Sequence, residues 1–260
     1  MNEGLDERLK IAIEAAKEAG LMVMDADINS KKTFKEKKQN DFVTDFDVKA
    51  EKLIIARIKE YFPDDAIFGE ESGTSEGKNG RWIIDPIDGT VNFFRGIPNY
   101  TISIAFEREQ FKPLIGVVYN PRQDELFYAL KGSGAFCNGK KILVSKISNP
   151  NKAIVVLVPP HRRKEKADLY FSIMRKIFDK VSDIRSFGSA ALECCYIASG
   201  RLDCYFEFAL GYYDFASGMV ILQESGGELR SLRGGFTDNY CDIVATNTFL
   251  TPWIMPLVGE

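Results

Sequence analysis

The sequence predicts an α/β (α+β) chain in which helices and sheets stack as layers. Three observations lead there. The N-terminal region carries two amphipathic helical patterns. From about residue 100 to 145 short strand patterns follow one another without a clear helix, joined by turn signals such as Asn120-Pro121 and Asn138-Gly139. Beyond 150, strand and helix patterns alternate.

Taken in order, Leu5, Leu9, Ala12, Ala16, Ala19 and Val23 recur at helical spacing and form one apolar face. The basic stretch Lys31–Lys38 reads as a loop or an exposed hairpin. A second helix follows Thr44, with Val48, Ile55, Ile58 and Phe62 along one side and Pro63 as its stop. Strands are expected at 66–68, 81–84, 101–106, 114–119 and 125–129. Strand 153–158 leads to a helix near 164–178, strand 184–186 to a helix near 190–198, and strand 204–206 to a helix near 215–224. Gly226-Gly227 stops the last of these, and Ile243-Val244-Ala245 returns to strand.

The chain has 260 residues, 45% of them hydrophobic and 27% charged, enough apolar material for a core that needs no disulfides. Its formal net charge of -3 lacks the basic field of a general nucleic-acid binder. No run approaches the length of a membrane span, and the first residues do not read as a secretory signal. Five cysteines in no zinc or redox spacing read as reduced, buried thiols of a cytoplasmic protein.

The chemistry concentrates where strands run into acids. In Trp82-Ile83-Ile84-Asp85-Pro86-Ile87-Asp88-Gly89-Thr90 an apolar strand ends in two carboxylates three residues apart. Pro86 fixes the turn between them, and Gly89 leaves the backbone open to a phosphate. Two acids this close repel unless a cation lies between them, and oxygen-only ligands suit magnesium. Phe68-Gly69-Glu70-Glu71 repeats the pattern of strand, glycine and acid. Thr44 and Asp47 form a helix capping box with Asp in place of Glu. Asp214, in Tyr213-Asp214-Phe215-Ala216-Ser217-Gly218, reads as a helix N-cap.

Together these segments resemble the inositol monophosphatase family. The likeness extends to Gly134–Gly139, Ile184–Ala191 and Glu224–Gly227, and covers residues from about 5 to 250. It implies a layered αβαβα sandwich of the sugar-phosphatase type. One compact unit is expected, with an N-terminal half (1–150) carrying most metal ligands and a C-terminal half (151–260) carrying Asp214 and the substrate side. The resemblance implies a first metal on Glu70, Asp85 and the Ile87 carbonyl, and a second shared by Asp85, Asp88 and Asp214. A weaker third magnesium is associated with Glu70, and manganese is possible. Thr90 and Asp47, with Glu70, would serve catalysis by orienting and deprotonating the attacking water. The phosphate would lie against Asp88, Gly89 and Thr90. Gly188, Ser189, Ala190 and Glu207 would line the alcohol side, next to Asp214.

The implied activity is magnesium-dependent, lithium-sensitive hydrolysis of myo-inositol monophosphate by a homodimer acting on small-molecule phosphate esters, without membrane or nucleic acid. Alternatives on the same site are fructose 1,6-bisphosphate, nucleotide 2′- or 3′-phosphates and histidinol phosphate. A binding role beside RNA polymerase is the alternative of another class, and Lys31–Lys38 is the feature that would serve it. Two points depart from the family. Tyr213 stands where the family has Trp, and Pro159–Arg163 matches no motif. Arg162 and Arg163 are candidates for a second phosphate, and His161 is expected to be a surface residue.

Overall fold

The structure is a computed structural model that describes residues 4–29, 34–38 and 41–259. Helix α1 (Leu5–Asn29) is followed by a hairpin of β1 (Phe34–Lys38) and β2 (Asp41–Thr44) and by α2 (Asp45–Tyr61). Then come β3 (Ala66–Gly69), β4 (Gly73–Thr74), β5 (Arg81–Asp88), α3 (Thr90–Arg95), β6 (Thr101–Glu107), β7 (Pro113–Asn120), β8 (Glu125–Leu130), β9 (Gly134–Cys137) and β10 (Lys140–Ile142). The second half runs β11 (Ile154–Leu157), α4 (Ala167–Phe178), β12 (Asp183–Arg185), α5 (Ala190–Ala198), β13 (Cys204–Leu210), α6 (Tyr212–Glu224), β14 (Glu228–Ser231), β15 (Cys241–Thr246) and α7 (Thr251–Val258).

These elements form five layers. The eight-stranded sheet has the order β10-β9-β8-β7-β6-β5-β3-β4 and is antiparallel except between β3 and β5. Its strands alternate faces: Trp82 and Ile84 pack under α1 and α2, whereas Ile83 faces α5 and α6. The five-stranded sheet, β12-β11-β13-β15-β14, covers the other side of α5 and α6. Tyr205 points into that central layer, whereas Cys204 and Phe206 pack with α4 and α7. The expected αβαβα order is therefore present.

Local chemistry accounts for most boundaries. Thr44 caps α2 through the capping box with Asp47. Of the predicted face Ile58 and Phe62 are buried, but Val48 is exposed and Ile55 half-buried; the buried side of α2 runs instead through Asp47, Ala50, Glu51, Ile54 and Ile58. Both acids turn inward because they find donors there. The basic stretch does form a hairpin over Phe34–Lys38, whereas Lys31, Lys32 and Thr33 lie outside the described residues. All five cysteines are free thiols, four of them buried. No helix among the described residues is long and apolar enough to cross a membrane.

A buried ion pair fastens α1 to the sheet. Arg8 gives two hydrogen bonds to Asp65, each of 3.0 Å, and Trp82 Nε1 donates to the same carboxylate at 3.0 Å. The guanidinium is sandwiched between Phe62 and Phe106. Asp65→Ala strands this cation and should cost about 3–5 kcal/mol, read as a lower urea midpoint at unchanged slope. A loss below about 1 kcal/mol would show that the pair is not needed.

Candidate active site

The register of the large sheet sets the acids side by side. Strand β3 pairs in parallel with β5, with Gly69 opposite Ile84, so Glu70 emerges next to Asp85. The predicted strand 81–84 extends through Asp88. In a regular strand, residues three apart face opposite sides. Here Asp85 pairs with Ser103 and Asp88 with Thr101, so one extra residue bulges out of β5 between them. The bulge, at Pro86-Ile87, returns Asp88 to the side of Asp85. Asp214 joins them from the first turn of α6. It is not the N-cap: Gly211 holds that position, and the Asp214 carboxylate accepts from the Gly211 N–H at 2.7 Å. Asp85, Asp88 and Asp214 are buried, and each offers a carboxylate oxygen within 4.8 Å of the others.

Each acid is held by donors. Asp88 Oδ2 accepts from the Ser189 hydroxyl at 2.6 Å and the Ala191 N–H at 2.8 Å, and Oδ1 from the Ala190 N–H at 3.2 Å. Asp88 thereby caps α5 from across the molecule, where the helix dipole favours its charge. Asp85 Oδ1 accepts from the Ile87 N–H at 3.1 Å. The Glu70 turn is held from α2, where Glu51 accepts from the Glu71 and Ser72 N–H groups at 2.9 and 2.8 Å. A Cβ on Gly69 would lie 2.5 Å from Glu51 Oε2, so a larger residue there would displace the carboxylate that holds this turn.

Burial, followed by the charges of Glu70, Asp88 and Asp214, pushes Asp85 well above the usual carboxylate range. Asp88 is pushed up to about 7 by burial and by Asp214, against its hydrogen bonds from Ser189, Ala191 and Ala190. Hard oxygen donors, buried and mutually repelling, fit a divalent cation of the magnesium type.

Beside the acids, Asp47 is fully buried and accepts from the Thr44 N–H at 2.8 Å. The Thr90 hydroxyl lies 3.2 Å from Asp47 Oδ1 and 3.1 Å from the Ile87 carbonyl. Burial raises Asp47 in spite of its bonds from Thr44 and Thr90. Gly89, at φ +95°, caps α3, and a Cβ there would press on the carbonyls of Asn99 and Gly188 at 3.0 Å. These groups border a cavity of about 390 Å³ lined by Glu70, Asp85, Ile87, Asp88, Gly89 and Thr90 on one side and by Gly188, Ser189, Ala190, Glu207 and Asp214 on the other.

Every residue to which the family resemblance gives a metal, catalytic or substrate role lies at this cavity or, like Asp47, is bonded to its wall. Arg162 and Arg163 separate. Arg162 lines the cavity 3.5 Å from Asp214 Oδ2, whereas Arg163 turns away to pair with Glu165. His161 is exposed, as expected, yet lines the cavity mouth. Burial and the charge of Glu193 raise Glu207 well above the usual range, while Tyr205 and Arg162 pull it down. Sequence reasoning missed Glu51 and Asn92. Glu51 was detectable as an acid four residues after Asp47, on the same helical face.

The chain matches the inositol monophosphatase family over residues 4–260. The Nus factor SuhB of Vibrio cholerae is 39% identical over 230 residues, 87% of this chain and 86% of that protein. The crystal structure of the extragenic suppressor protein SuhB from Bartonella henselae superposes with a TM-score of 0.92 at 33% identity, over 98% of this chain and 99% of that one. An inositol monophosphatase from Anabaena gives 0.87 at 29% identity, over 98% and 96%.

The raised carboxyls have a measurable consequence. A group whose folded pKa is raised adds stability below its unfolded value and loses it as pH rises through the folded value. Asp88 therefore favours the chelator-treated fold at acid pH and ceases to do so as pH passes about 7. A bound cation replaces the proton, so the rise in Tm on adding magnesium should be larger at about pH 8 than at about pH 6. Differential scanning fluorimetry checks this, and a magnesium shift independent of pH contradicts it.

Proposed function

The chain belongs to the inositol monophosphatase family, and from that premise we propose that it hydrolyses small phosphate monoesters, with a polyol phosphate such as myo-inositol monophosphate preferred. One observation carries this reading: Glu70, Asp85, Asp88 and Asp214 converge in a single cavity, with the Thr90–Asp47 pair at one flank and Glu207 at the other. Magnesium held there by the four acids and the Ile87 carbonyl would supply charge neutralisation and more acidic water, with manganese as a substitute.

The remaining work falls to side chains and backbone. The phosphate lies against Asp88-Gly89-Thr90. Thr90 orients the attacking water and passes its proton toward Asp47, whose burial gives it a higher proton affinity than a solvated carboxylate. Attack is in line, without a covalent intermediate. Glu207 accepts hydrogen bonds from substrate hydroxyls, and Arg162 supplies donors across from Gly188-Ser189-Ala190. Arg162 also admits a second anionic group, which keeps fructose 1,6-bisphosphate, nucleotide phosphates and histidinol phosphate as alternatives on the same site.

A second reading is favoured by the name Nus factor carried by a relative. It is association with the transcription machinery, tested by a salt-dependent pull-down with RNA polymerase. The free thiols suit a reducing, cytoplasmic setting. A homodimer belongs to the proposal, and sedimentation at twice 29.3 kDa is its test.

Phosphate release from a panel of esters in magnesium tests the leading reading. Inositol monophosphate should head the panel, and Asp88→Asn should lower kcat about a hundredfold or more while the protein stays folded. A wide preference for fructose 1,6-bisphosphate would move the substrate assignment to Arg162. Near-normal turnover of Asp88→Asn would contradict the site.

A further inference from the structure

Behind the alcohol wall of the cavity lies a carboxyl that the proposed chemistry does not use. Glu193, on α5, has no solvent exposure. Its Oε1 accepts from the Phe187 N–H at 2.7 Å and the Gly188 N–H at 3.2 Å. Its Oε2 is buried with no hydrogen-bond partner among the described residues. A buried acid with a vacant acceptor is costly to keep and calls for a physical reason.

The turn it holds is clamped from two sides. Asn92 Nδ2, on α3, donates to the carbonyls of Phe187 and Asn99, both at 2.7 Å. Gly188 sits at φ +78°, and a Cβ there would come 2.9 Å from Asn92. One side chain thus binds the carbonyl of the turn and the other its two N–H groups. The turn leads straight into Ser189 and Ala190, which line the cavity. Burial pushes the Glu193 carboxyl up to about 8, against its bonds from the Phe187 and Gly188 N–H groups.

We infer that Glu193 is a positioning residue for substrate specificity. It fixes the Phe187–Gly188 turn, and so sets how the alcohol part of the substrate is held while leaving the phosphate end alone. The inference rests on reading the cavity as a phosphomonoesterase site. Glu193→Ala removes both hydrogen bonds to the turn. Glu193→Gln keeps an acceptor for the two N–H groups. Glu193→Met fills the same space without polar atoms and replaces the alanine variant should the cavity destabilise the fold.

The test is KM and kcat with magnesium for myo-inositol 1-phosphate and for p-nitrophenyl phosphate, together with amide exchange at Phe187 and Gly188. In Glu193→Ala the KM for the inositol ester should rise roughly tenfold, with kcat for both esters within about twofold of wild type. Exchange at the two amides should quicken, and Glu193→Gln should restore both KM and protection. An equal fall for both esters, or an unchanged inositol KM in an active enzyme, overturns the inference alone. Wild-type protein that hydrolyses neither ester overturns the phosphatase reading, and the specificity claim with it.

Discussion

Asp85, Asp88 and Asp214 bring carboxylate oxygens within 4.8 Å of one another in a buried place, where like charges repel most. Much of the architecture around them answers that repulsion. Asp88 accepts two N–H groups from the start of α5, and Asp214 sits in the first turn of α6, so two helix dipoles point their positive ends at the cluster. Ser189 adds a hydroxyl, and Arg162 a guanidinium. The same bonds join the large sheet to the central helices. What remains uncompensated keeps Asp85 and Asp88 protonated more readily than solvated acids, and this is the charge a divalent cation would balance.

Much of this was legible in the sequence because the acids sit where strands end. Asp85 and Asp88 follow an unbroken apolar run, and Glu70 follows another. Helix α5 falls where it was expected, at Ala190–Ala198. Other features depend on partners distant in sequence. The three-residue spacing of Asp85 and Asp88 does not announce a bulge, which exists only in the pairing with β6. The inward face of α2 was misread because Asp47 and Glu51 find their donors in Thr90, Glu71 and Ser72, which no helical period reveals. Arg162 and Arg163 look alike in sequence and part only when one reaches Asp214 and the other Glu165. The short α3 and α7 lack the length for a periodic signal, and neither was anticipated.

The cavity divides by chemistry. The acids, Gly89 and the Thr90–Asp47 pair form one flank, which the proposed reading gives to phosphate and water. Glu207, Arg162 and the Gly188–Ala190 strip line the other flank, which the proposed reading gives to the alcohol. The two flanks meet at Asp88, which touches α5 through the strip and the other acids through its charge. Such a division lets substrate preference vary on one wall while the reacting end stays constant, which is why membership of one family leaves the substrate to be measured.

The most direct test of the account is the reversibility of its cation requirement. Protein stripped with EDTA and dialysed should release no phosphate from myo-inositol 1-phosphate, and magnesium added back should restore release. Full activity in the stripped protein would mean that the acidic cluster does not act through a metal, and would contradict the account at its centre.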